Sequence, residues 1–74
     1  MTTPTPDTVF AEPLTARERQ IAEAIARGLR NKQIANEFGI SAETVKRHLS
    51  SIYGKLAVHG RVALAIHVLR SHAA

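Results

Sequence analysis

A chain of 74 residues with no cysteine and a formal net charge of +4 has room for one small domain, and it excludes disulfide staples, thiolate metal sites and sulfur redox chemistry. So small a core must be packed efficiently or completed by self-association. The chain opens without the basic start and apolar run of a signal peptide, and no apolar run approaches the roughly 20 residues that cross a bilayer; the expectation is a soluble, cytoplasmic protein without a membrane partner.

Residues 1–13 are rich in threonine and proline, a composition that favours extended or turning backbone over helix. They are expected to be a flexible arm or the remnant of an interdomain linker. Phe10 is their one large apolar side chain, either lying against the domain or exposed.

The first helix is expected to start at Thr15, whose side chain can cap the amides that follow while Glu18 reaches back in a Thr-x-x-Glu capping box. Ile21, Ala22 and Ile25 form its buried stripe, and Arg17, Arg19, Gln20, Glu23 and Arg27 stay wet. Gly28 ends it by taking the left-handed conformation.

Asn31 is the expected cap of a short second helix with Ile34, Ala35 and Phe38 facing inward, closed by Gly39. Only Ile40 then precedes Ser41, a strong cap residue, so the second and third helices are joined by a compact turn, as in a helix-turn-helix.

In the third helix, expected over 42–56, Val45, Leu49, Ile52 and Leu56 recur at steps of four, three and four and define a core stripe, with Tyr53 at its edge. The opposite side then shows Glu43, Lys46, Arg47, Ser50, Ser51 and Gly54, a surface without bulky apolar obstruction. Gly54 costs about 1 kcal/mol of helix propensity relative to alanine, explained by a close approach to its backbone or by a bend.

A loop over 57–60 leads to a fourth helix expected over 61–70 and a tail over 71–74. Val62, Ala63, Leu64, Ala65, Ile66, Val68 and Leu69 make that helix apolar on nearly every side, more than one small core can shield. A dimer interface through Val62, Ala63, Ile66 and Leu69 explains this; a helix central to the fold is the alternative.

Charge is distributed unevenly. Residues 44–74 hold Lys46, Arg47, Lys55, Arg61 and Arg70 and no acid, whereas residues 1–43 hold five basic and six acidic side chains. Positive charge around a groove-sized helix is what attraction to a phosphate backbone requires, although an ordinary solvated face has the same composition.

The ordered series Leu14-Thr15-Ala16-Arg17-Glu18, Gly28, Asn31-Lys32-Gln33-Ile34-Ala35, Ile40-Ser41, Thr44-Val45-Lys46-Arg47-His48, Lys55-Leu56, Val58 and Arg61 resembles the LuxR/NarL (GerE-type) helix-turn-helix domain over residues 13–70. The resemblance implies an all-α, four-helix bundle-like domain at 14–70, in which helices two and three form the helix-turn-helix and helix four mediates dimerisation. Members are bacterial transcription regulators, response regulators among them. In them, the positions of Lys46, Arg47 and Ser50 are the usual readers of base edges, and those of Thr44 and Lys55 meet phosphates.

The position of Arg47 is often aliphatic in relatives and that of Ser50 longer and basic, so a target sequence does not transfer. Relatives usually carry the module behind a receiver or ligand-binding domain. A short polar arm fits a stand-alone regulator and equally fits a piece of a longer chain. Val62 and Ala63 are more apolar than the common pattern, which hints at tighter self-association.

On this reading the third helix enters the major groove of double-stranded DNA, with Lys46 and Arg47 as donors to guanine O6/N7 or flanking phosphates. Arg47 is the better base reader because its guanidinium is a rigid fork. Thr44, in the first turn, can hold a phosphate oxygen together with free backbone amides. Asn31, Lys32 and Ser51 are further candidates for the backbone, and Arg61 either contacts DNA or pairs with Glu18 or Glu23. Two-fold dimers favour an inverted repeat as target, and RNA polymerase is a candidate second partner.

His48 lies between Val45 and Ile52 at helical spacing, which favours a half-buried histidine over a metal ligand. His59, His67 and His72 lack metal-ligand spacing. No cofactor is expected. Glu18, Glu23, Glu37 and Glu43 fall on wet faces or at helix starts rather than in a cleft, which argues against an enzyme. The competing class is a protein-binding module that keeps the fold without reading DNA. RNA fits less well, because the A-form major groove resists entry.

Overall fold

The computed structural model describes residues 14–73; the expected arm over 1–13, with Phe10, lies outside them. Four helices follow in order, with no strand among the described residues: α1 (Ala16–Ala26), α2 (Asn31–Phe38), α3 (Ala42–Leu56) and α4 (Arg61–Ala73).

The start of α1 is the capping box that the sequence implies. Thr15 Oγ1 accepts from the Glu18 amide at 3.0 Å, and Glu18 Oε1 accepts from the Thr15 amide at 3.0 Å, so two otherwise orphaned donors are satisfied reciprocally. At the other end Gly28 adopts a φ of +89°. The amides of Gly28 and Leu29 turn back to the carbonyls of Ile25 and Ala24, which closes the helix as a Schellman turn.

The start of α2 differs from expectation. Arg30, not Asn31, is the cap residue, and its amide donates to Gln33 Oε1 at 2.8 Å. Asn31 lies inside the helix, and its side-chain oxygen accepts from Arg61 Nη1 at 2.8 Å. A guanidinium 30 residues away has taken the acceptor that local sequence offers to the helix. Gly39, at φ +66°, ends α2.

Ser41 starts α3 as expected, its hydroxyl accepting from the Thr44 amide at 3.0 Å. The far end is capped by Ala57 in the left-handed region at φ +57°, a conformation that costs a residue with a Cβ about 1 kcal/mol or more.

Ile21, Ala22, Ala24, Ile25, Ile34, Ala35, Val45, Leu49, Ile52, Leu64 and Val68 form one buried cluster. It draws on all four helices, with α1 packed against α3 and α4, and α2 against α3. Leu14, Phe38, Tyr53 and Leu56 are half-buried at its edge. α4 resolves its surplus of apolar residues by burying Leu64 and Val68 while leaving Val62, Ile66 and Leu69 exposed. It also continues past Arg70 to Ala73, so most of the expected tail is helical. Ser71 Oγ donates to the His67 carbonyl at 3.1 Å, and His72 Nε2 lies 3.2 Å from Glu23 Oε2.

Candidate nucleic-acid interface

The core side of α3 fixes what its other side presents. At about 100° per residue, Glu43, Arg47, Ser50 and Gly54 fall within about 60° of one another, roughly opposite Val45, Leu49, Ile52 and Leu56. Lys46 lies about 40° beyond Ser50 on the same side. All five are exposed. A Cβ added at Gly54 would meet nothing within 4 Å, so no contact among the described residues accounts for that glycine.

The flank of α3 that faces α1 carries Thr44, Ser51 and Lys55, and there the structure departs from the sequence reading. Glu18 is only 5% exposed. Its Oε1 accepts from Lys55 Nζ at 2.7 Å and its Oε2 from Ser51 Oγ at 2.9 Å, in addition to the Thr15 amide. Burial alone would push this carboxyl up, but Lys55, the Thr15 amide and the Ser51 hydroxyl prevail and hold it at about 2, against an ordinary 4.5.

A residue expected at a helix start is therefore also the hub that fastens α3 to α1. Ser51 has one proton and gives it to Glu18, which removes its hydroxyl as a donor to phosphate while that bond holds. Lys55 uses one of three donors on Glu18 and keeps two.

Thr44 is half-buried, and its Oγ1 lies 2.9 Å from Ser41 Oγ. When Ser41 donates in that pair, the Thr44 hydroxyl keeps its proton for an outside acceptor. Lys32 is exposed on α2. Asn31 is held by Arg61, whose Nη2 also donates to the Leu29 carbonyl at 2.8 Å. Arg61 thus finds neither Glu18 nor Glu23; it pins the start of α4 to the start of α2.

Two further pairs sit at the surface. Arg27 lies 3.2 Å from Glu37, both well exposed, a geometry that contributes little to stability. Arg17 stacks over the Phe38 ring, 4.8 Å from its centroid. Among the described residues no group of three His, Cys, Asp or Glu side chains could hold a metal ion, and no helix is long and apolar enough to cross a membrane.

A short helix, a three-residue turn and a second helix with a basic, unobstructed outer face define the class of helix-turn-helix regulators that bind DNA. The comparisons agree. Residues 12–68 match the GerE model of bacterial regulatory proteins of the luxR family, and the chain belongs to that family.

It is 53% identical over 58 residues to the probable transcriptional regulatory protein SgaR of Hyphomicrobium methylovorum, a match covering 77% of this chain and 28% of that protein. It is 48% identical over 54 residues to the transcriptional regulatory protein UhpA of Escherichia coli, covering 73% and 28%. With the nitrate/nitrite response regulator protein homolog of Haemophilus influenzae it shares 51% over 53 residues, covering 72% and 26%. The match spans little more than a quarter of each relative's length. These relatives are regulators, not enzymes.

Proposed function

We propose that the protein reads a specific double-stranded DNA sequence in the bacterial cytoplasm, as a dimer on an inverted repeat, with residues 14–70 as the DNA-binding unit and 1–13 as an arm or linker. The observation that carries this is the face of α3 on which Lys46, Arg47 and Ser50 are all exposed. That face is of a size and polarity to enter the major groove, and its donors match guanine O6/N7. Arg47 and Lys46 supply base contacts, with Ser50 a short donor or acceptor beside them.

Thr44, Lys55 and Lys32 meet the backbone, and Asn31, already held by Arg61, has only its amide protons to offer. The Glu18 carboxylate offsets part of the Lys55 charge and fixes where its ammonium sits. Lys55 is thereby a positioned contact as much as an electrostatic one.

The dimer is carried by α4. Val62, Ile66 and Leu69 are 73%, 45% and 54% exposed, and steps of four and three place them on one stripe with Ala63 beside it. Covering these side chains on both protomers recovers about 5–10 kcal/mol, taking about 1.5–3 kcal/mol for each complete side-chain burial. Association costs about 4–15 kcal/mol. The two are of similar size, and a shared duplex that raises the local concentration of the protomers favours their pairing there.

Selection from a randomised duplex pool at two salt concentrations, with the mass of the complex followed by light scattering, tests the proposal. Enrichment of an inverted repeat, binding that weakens steeply with salt, and two chains per duplex are expected. No enrichment and no salt-sensitive binding would place the chain among protein-interaction modules.

A further inference from the structure

We propose that Glu43 is a sequence-reading residue, its carboxylate accepting from the N4 amino group of a cytosine in the major groove. This rests on the reading of α3 as the groove helix. Every other acid of the described residues is engaged inside the fold: Glu18 by Lys55 and Ser51, Glu23 by His72, Glu37 by Arg27. Glu43 has no hydrogen bond or ion pair among the described residues. It is exposed in the first turn of α3, in the middle of the face that carries Arg47, Ser50 and Gly54, and it is the last acid of the chain.

A carboxylate on such a face is repelled by phosphates and by acceptors on base edges. Guanine presents N7 and O6, thymine O4, and adenine sets its N7 acceptor beside its amino group; cytosine alone offers a donor and no acceptor of its own. Glu43 therefore penalises nonspecific and mismatched DNA, and recovers that penalty only where a cytosine faces it. A favourable interaction with the helix dipole, the ordinary reason for an acid in a first turn, would leave base preference unchanged.

The test is selection from the same randomised duplex pool with the wild-type chain, Glu43→Gln and Glu43→Ala, each first shown to be folded by circular dichroism. The wild type is expected to favour cytosine at one position of each half-site by about 5- to 150-fold. Both variants should lose that preference while keeping the rest of the site, and should bind random duplex more tightly. An identical base preference in all three proteins overturns the role of Glu43 and leaves the groove reading intact. A wild-type chain that enriches no sequence overturns both.

Discussion

Replacing Glu18 by glutamine isolates the charge that fastens α3 to α1. The carboxyl is held at about 2 in the fold, against an ordinary 4.5. Because its folded value is depressed, its contribution is fully present above the unfolded value and is lost as pH falls from about 5 towards 2. At 1.36 kcal/mol per pKa unit the contribution reaches at most about 3 kcal/mol, discounted because the Lys55 side chain is 31% exposed.

Glutamine can still accept from the Thr15 amide, and Ser51 can turn to accept from the new amide. What is lost is the charge-assisted bond to Lys55, worth about 1.5–3 kcal/mol. A domain of this size has about 3–9 kcal/mol in total, so the change is large. The assay is urea unfolding of wild type and Glu18→Gln at pH 7, 5, 3.5 and 2.5.

The stability difference should be greatest at pH 7 and should close towards pH 2.5. Equal stability at pH 7, or parallel pH profiles from 5 to 2.5, would refute the assignment of Glu18 as a buried, paired carboxylate.

Further outcomes follow from the same geometry. Arg47→Ala should relax the preference at one base position with a loss of about 1–3 kcal/mol on the selected site, and little change on random duplex, both measured by fluorescence anisotropy. Leu69→Lys, which alters an exposed side chain, should leave the melting temperature nearly unchanged yet abolish two-chain complexes on an inverted repeat in a light-scattering titration. Ala57→Gly removes a Cβ from a left-handed residue and should stabilise the fold by about 0.5–1 kcal/mol in urea unfolding. Lys55→Ala should both destabilise the fold, by stranding the Glu18 carboxylate, and lower the slope of log affinity against log salt by about one contact.

What could be read from the sequence was what neighbouring residues decide. The Thr15–Glu18 box, the Gly28 and Gly39 stops, the Ser41 cap and the four-three-four stripe of α3 each depend on residues within one or two turns, and each is present. What could not be read depends on contacts across the fold. Glu18 looks complete as a cap partner, and nothing local says that Ser51 and Lys55 will converge on it from α3.

Asn31 is a good cap in isolation, but the Arg61 guanidinium reaches it first. The same holds for the end of α4, where apolar periodicity stops at Arg70 but the helix runs on to Ala73, with His72 beside Glu23 of α1. Ser51 and Lys55 lie about 40° apart on one flank of α3, and the carboxylate that occupies them there comes from another helix.

The most direct test of the account is nuclear magnetic resonance of the isotopically labelled chain on its selected duplex, with contacts recorded between protein side chains and major-groove base protons. The account predicts contacts from Lys46, Arg47 and Ser50, with α1 and the exposed stripe of α4 away from the bases. Base contacts arising from α1 or α4, with the outer face of α3 unperturbed, would contradict it.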